Sequence, residues 1–199
     1  MQDLSLHVLD IVENSINAGA KKVVISIRED IEKDRLTITI ADNGKGMNKE
    51  QLSKLTDPFY TTRACRKVGL GLPLLKIMAK QCHGDVIVKS KPGRGTCVKV
   101  IFQYGNIDRP PLGDIALTVA CIICTNPHVE VIYRHKVGSV FYKLTREKIE
   151  KMLKNKQSKR KNVFSLIQED VRKELANLAR ERKKIFVKKF GYTPRVGLI

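Results

Sequence analysis

Apolar residues recur at helical spacing from Leu4 to Ala18, and Gly19 ends the run. On a 3.6-residue wheel Val8, Leu9, Ile11, Val12, Ser15 and Ile16 share one face, while His7, Asp10, Glu13, Asn14 and Asn17 share the other. The period then falls to two. Val23 to Ile27 and Leu36 to Ile40 predict two strands separated by a charged turn over Glu29 to Asp34. Asn48 as cap, with Gln51 three residues on, predicts a short helix to Leu55. Residues 56–68 have no clear period and predict a mobile loop. Gly69-Leu70-Gly71-Leu72-Pro73 opens a helix to about Cys82, its proline in the first turn where a missing N–H costs nothing. Asp85 to Ser90 and Thr96 to Phe102 predict two more strands, joined by the turn Lys91-Pro92-Gly93-Arg94-Gly95.

The order helix, two strands, short helix, loop, helix, two strands predicts an α/β (α+β sandwich) unit over residues 1–105, a mixed sheet with helices on one face. Asn106 to Leu112 marks a linker. A smaller α/β extension over 106–154 follows: an apolar helix from Gly113 to Thr125, a hairpin from Glu130 to Leu144, and a helix capped by Thr145. Residues 155–199 are expected to form a flexible basic link and one long basic helix, Val163 to Phe190.

Charge sharpens this division. The 199 residues carry a net charge of +18; residues 143–199 hold 18 Lys and Arg against 6 Asp and Glu, and residues 1–142 hold 20 against 14. Such a tail suits nucleic acid, an acidic protein or anionic lipid, and equally a solvated basic helix. No apolar run has membrane-spanning length, and Met1-Gln2-Asp3-Leu4 lacks a signal-peptide plan, so a cytoplasmic protein is expected. Five scattered cysteines argue for reduced thiols. Cys121 and Cys124 have metal-pair spacing, but their neighbours Val119, Ile122 and Ile123 are core-like, and no second pair or histidine cluster completes a zinc site.

Three stretches carry candidate chemistry. The polar face of the first helix has no Lys or Arg, and its oxygen-bearing side chains suit a hard cation. Asp10 and Asn14, one turn apart, can reach the same ion or water. Asp42-Asn43-Gly44-Lys45-Gly46-Met47 follows a strand; it fits a hairpin turn, or a fixed carboxylate accepting the amino group of adenine while glycines let the backbone pass close to the ring. Gly69 to Leu72 open a helix whose N–H groups and dipole attract phosphate, or simply mark a helix entry.

In this order and spacing the stretches resemble the ATP-binding domain shared by DNA gyrase, the heat-shock chaperone, the mismatch-repair ATPase and histidine kinases, the GHKL superfamily. Asp10-Ile-Val-Glu13-Asn14-Ser-Ile-Asn17-Ala18 resembles its N box, Asp42-x-Gly44-x-Gly46 its first glycine box, and Gly93-x-Gly95-Thr96 its last. Asp57-Pro-Phe-Tyr-Thr-Thr-Arg63 with Gly69-Leu70-Gly71-Leu72 resembles the lid of the kinase branch. The resemblance implies ATP and Mg²⁺ as cofactors, Asn14 as the magnesium ligand and Asp42 as the partner of adenine. It also implies Gly44 and Gly46 beneath the base, with Asn17 and Met47 in the same pocket, Gly69 to Leu72 with Arg63 and Lys67 around the phosphates, and Thr96 near the adenine edge. Asp10 stands where hydrolysing relatives carry a glutamate; it and Glu13 are the candidate general bases. Only nine residues precede Asp10, leaving no room for a histidine-bearing hairpin, and the lone domain is similar to anti-sigma serine kinases. The expected function is an ATP/Mg²⁺-binding regulator that phosphorylates or sequesters a partner protein with an acidic surface, with a homodimer left open. The alternatives are a slow ATPase switch, or an ATP sensor that binds nucleic acid through the basic tail.

Overall fold

The computed structural model describes residues 3–55, 71–154 and 162–191. The expected mobile loop and most of the lid, including Arg63, Lys67, Gly69 and Leu70, lie outside the described residues, as does the basic link. Six helices and six strands are described. They are α1 (Leu4–Asn17), β1 (Lys22–Asp30), β2 (Arg35–Asp42), α2 (Lys49–Lys54), α3 (Gly71–Gln81), β3 (Asp85–Lys91), β4 (Gly95–Gln103), α4 (Ile115–Thr125), β5 (Glu130–Val137), β6 (Val140–Leu144), α5 (Arg146–Lys154) and α6 (Val163–Phe190).

The strands form one mixed sheet in the order β3-β4-β2-β1-β5-β6, antiparallel except for the β1–β5 pair. Four helices lie side by side on one face, α3 beside α1, α1 beside α4 and α4 beside α6, as the alternation predicts. Val23, Ile25 and Ile27 of β1 stand in register with Ile40 and Ile38 of β2 and with Val131 and Tyr133 of β5, and all are buried under the helices. The sheet does not stop at residue 105. Strands β5 and β6 extend it on the far side of β1, and residues of both halves enter one continuous core.

Three sequence expectations are corrected. The strand expected to end at Ile27 runs on through Asp30, because Glu29, assigned to a charged turn, is only 4% exposed and faces the core. Its carboxylate accepts from Arg182 Nε and Nη2 of α6 at 2.7 and 2.6 Å, from the Tyr104 hydroxyl at 3.0 Å and from His135 Nε2 at 2.8 Å. The tautomer of His135 that donates to Glu29 accepts at Nδ1 from the Tyr133 hydroxyl, 2.8 Å away. Burial would raise the pKa of Glu29, but the hydrogen bonds from His135 and Arg182 outweigh it and hold the carboxyl at about 2. Likewise α6 is not only a basic surface helix. It spans Val163–Phe190 as expected, but Ile167, Val171, Leu178 and Arg182, spaced four, seven and four residues apart, form a buried stripe.

His7 is also corrected. Placed on the polar face by the wheel, it is 4% exposed, and burial lowers its pKa below the usual histidine value. The helix that the first half alone cannot reveal, α4, packs beside α1 and moves the wet–dry boundary round by one position.

Candidate nucleotide site

Asp42 ends β2 on the helix-bearing face of the sheet, where the alternation that buries Ile38 and Ile40 continues. Three donors hold its carboxylate. Oδ1 accepts from the backbone N–H of Gly44 at 2.9 Å and of Thr96 at 3.1 Å, and Oδ2 lies 2.8 Å from the Ser15 hydroxyl, whose single proton is shared with the Ile11 carbonyl at 3.1 Å. The side chain therefore has a fixed direction before any ligand arrives.

The chain leaving Asp42 is not a hairpin turn, because the next strand in space is β4. Asn43 Oδ1 accepts from the N–H groups of Lys21 and Lys22, both at 2.8 Å, and the Lys45 N–H donates to the Ala18 carbonyl at 2.9 Å. These bonds pin the loop across the C-terminal end of α1. A Cβ on Gly44 would stand 2.9 Å from the Ala18 carbonyl oxygen, and one on Gly46, whose φ is +67°, would collide with the Lys91 backbone. Both glycines are needed for close approach of one backbone segment to another. Met47 donates its N–H to Ser90 Oγ at 2.9 Å, and Ser90 Oγ in turn lies 2.9 Å from both the Gly95 carbonyl and Thr96 Oγ1. One serine thus ties the first glycine segment to the last.

Asp10 and Asn14 lie on the side of α1 away from the buried face. Asp10 is half-buried and Glu13, Asn14 and Asn17 are exposed. A Cβ on Gly71 would collide with Asp10 Oδ2, so that carboxylate sits against the first residue of α3, with Leu72 packed on the core beside it. Asp42, Gly44, Gly46, Met47 and Thr96 are thus held together as one connected wall, and Asp10 joins α1 to the start of α3. Among the described residues, Glu13 and Asn17 make no side-chain hydrogen bond to that wall. Among the described residues no group of three or more His, Cys, Asp or Glu is placed to hold a metal; Cys121 and Cys124 are free thiols.

Sequence reasoning missed Ser15 and Ser90. Ser15 was placed on the apolar face, and that is its position; its hydroxyl points at Asp42 from within it. A lone serine among Ile11, Val12 and Ile16, in the last turn of the helix, is a usable signal once β2 is known to end in Asp42. Ser90 follows the strand alternation and carries no separate signal.

Comparison with known proteins agrees with this geometry. The model of the histidine kinase-, DNA gyrase B- and HSP90-like ATPase family matches residues 2–106, just over half of the chain. The sensor protein kinase FleS of Pseudomonas aeruginosa is 37% identical over 108 residues, 54% of this chain and 26% of its own length. Sporulation kinase C of Bacillus subtilis is 31% identical over 94 residues, 47% of this chain and 22% of its own. A putative sensor protein of Shewanella frigidimarina is 30% identical over 109 residues, 54% of this chain and 17% of its own. The chain thus spans about a fifth of the length of these curated relatives. In fold it is similar to the N-terminal domain of a DNA repair protein, with a TM-score of 0.53 at 16% identity over 73% of this chain and 52% of that one. With an aspartate fixed by three donors, glycines where the backbone closes, and the family's sequence pattern over residues 2–106, the chain belongs to the histidine kinase-, DNA gyrase B- and HSP90-like ATPases and carries their ATP-binding domain.

Proposed function

We propose that this ATP-binding domain acts on a second polypeptide, transferring the γ-phosphate to it or holding it in an ATP-dependent complex. The observation that carries the reading is Asp10. Its carboxylate lies against Gly71, at the helix start that suits a nucleotide's phosphates, while Asp42 fixes the adenine end. Asn14, one turn from Asp10, would supply an oxygen to Mg²⁺. A donor set of one or two protein oxygens fits an ion completed by phosphate oxygens and water rather than a protein cage. Held there, the ion would neutralise charge on the phosphates. Asp10, with Glu13 as the second candidate, accepts the proton of the incoming hydroxyl as its oxygen bonds to the γ-phosphorus; the bond to the β–γ bridging oxygen breaks and ADP leaves with the electron pair.

Three of the four histidines do not favour self-transfer. His7 is 4% exposed, and His135 is wholly buried on Glu29. His83 follows the far end of α3, which rises about 15 Å from Gly71 to Gln81. Phosphate-transfer assays with labelled ATP against co-purified proteins, followed by mass spectrometry, test the reading. Label is expected on a second polypeptide and lost in Asp10→Asn. Stoichiometric phosphohistidine on His83, His128 or His135 would overturn it, and steady ADP release with no phosphoprotein would favour the slow ATPase switch.

A further inference from the structure

The sheet face opposite the helices carries a charge pattern of its own. Alternation and register assign it nine Lys and Arg and three carboxylates from the six strands. Two of those carboxylates are engaged by cations of the same face, Asp30 by Arg28 at 3.1 Å and Glu130 by Lys22 at 3.1 Å. Seven cations then face a single carboxylate, Asp85. They are in rows: Lys99, Thr39, Ser26, Arg134 and Lys143 are successive partners across β4, β2, β1, β5 and β6. The neighbouring row holds Thr37, Arg28, Lys136 and Phe141. At a strand spacing of about 4.8 Å the first row runs roughly 19 Å from Lys99 to Lys143.

The geometry points to this open face as a binding surface for single-stranded nucleic acid. A partner of mixed charge would bring its own lysines against a face of almost one sign, whereas a phosphodiester backbone meets it with uniform negative charge. The hydroxyls of Ser26, Thr37 and Thr39 stand between the cations and donate to phosphate oxygens. Phe141, 55% exposed at the edge of the same face, offers a ring on which a base stacks. The surplus of positive charge in residues 143–199 is a different surface: among described residues it lies mostly on α6, in the helix layer.

Fluorescence anisotropy of a labelled 20-nucleotide oligo-dT with the full chain tests the assignment. Binding is expected at 50 mM salt; with about five phosphates engaged, affinity falls roughly a hundredfold by 200 mM. The triple variant Lys99→Glu, Lys136→Glu, Lys143→Glu changes only exposed side chains. It should lose at least tenfold in oligonucleotide affinity, with its thermal midpoint and ATP affinity unchanged, and Phe141→Ala should lose about fivefold or more. The matching α6 variant, Lys173→Glu, Lys183→Glu, Lys184→Glu, should bind as wild type. The assignment is overturned by absence of binding at 50 mM, by equal loss in the α6 variant, or by polyglutamate competing as well as unlabelled oligo-dT. That last outcome would identify an acidic polypeptide as the partner. None of these results alters the ATP site, which is read separately in each variant.

Discussion

Asp42 presents two unlike oxygens. Oδ1 is occupied by two backbone N–H groups, while Oδ2 meets only the Ser15 hydroxyl and retains capacity for a ligand's amino group. Asp42→Asn should therefore fold: its carbonyl takes the Oδ1 role, and its NH₂ donates to Ser15. That NH₂ then faces the adenine amino group donor to donor, and affinity for ATP should fall by about 1–3 kcal/mol. Ser15→Ala removes one of the three groups fixing the carboxylate and should weaken ATP binding by about 1 kcal/mol in calorimetry, with little change in fold. Unchanged affinity in Ser15→Ala would mean that the two backbone donors suffice. Asp42 was legible because a strand ending in Asp-x-Gly-x-Gly leaves a pattern along the chain. Ser15 and Ser90 were not, because their partners lie 27 and 43 residues away and only the packed fold brings them together.

Among elements, the β1–α6 junction bears most on stability. Glu29 and Arg182 are buried and joined by two hydrogen bonds, and removing one partner leaves the other charge unpaired in the core. Arg182→Met should cost about 3–5 kcal/mol, read in denaturant unfolding. The double variant Glu29→Gln, Arg182→Met should recover part of that loss, since no bare charge remains. The pair also gives a pH signature. The Glu29 pKa is lowered from 4.5 to about 2, so its contribution is fully present above about pH 4.5 and is lost as pH falls through 2. That contribution amounts to about 3 kcal/mol. Wild type should thus lose thermal stability more steeply than the double variant between pH 4.5 and 2; parallel curves would show that the ion pair adds nothing. The extent of β1 was misjudged in sequence for the same reason. A Glu after an apolar run signals a turn unless the cation that neutralises it, here 153 residues away, is known.

At the scale of the molecule, alternation and helical spacing were enough for every described element and for the mixed sheet with its helices on one face. They could not show that the second half continues the first. A parallel pair such as β1–β5 leaves no local trace, since its strands are joined by a long crossover rather than a turn. With α6 packed on the sheet, truncation after Leu153 removes buried Ile167, Val171 and Leu178, each contributing about 1.5–3 kcal/mol, and strands Glu29. The truncated chain should melt at least 10 °C below the full one; an unchanged midpoint would show that α6 is dispensable. ATP binding should then be measured in the full chain, where the site rests on an intact core. Calorimetric titration of the full chain with ATP, with and without Mg²⁺, for wild type, Asp42→Asn and Asn14→Ala tests the central claim most directly. The account predicts binding that Mg²⁺ tightens in wild type, a loss of roughly fivefold or more in Asp42→Asn in both conditions, and loss of the Mg²⁺ effect alone in Asn14→Ala. Wild-type affinity in Asp42→Asn would contradict it.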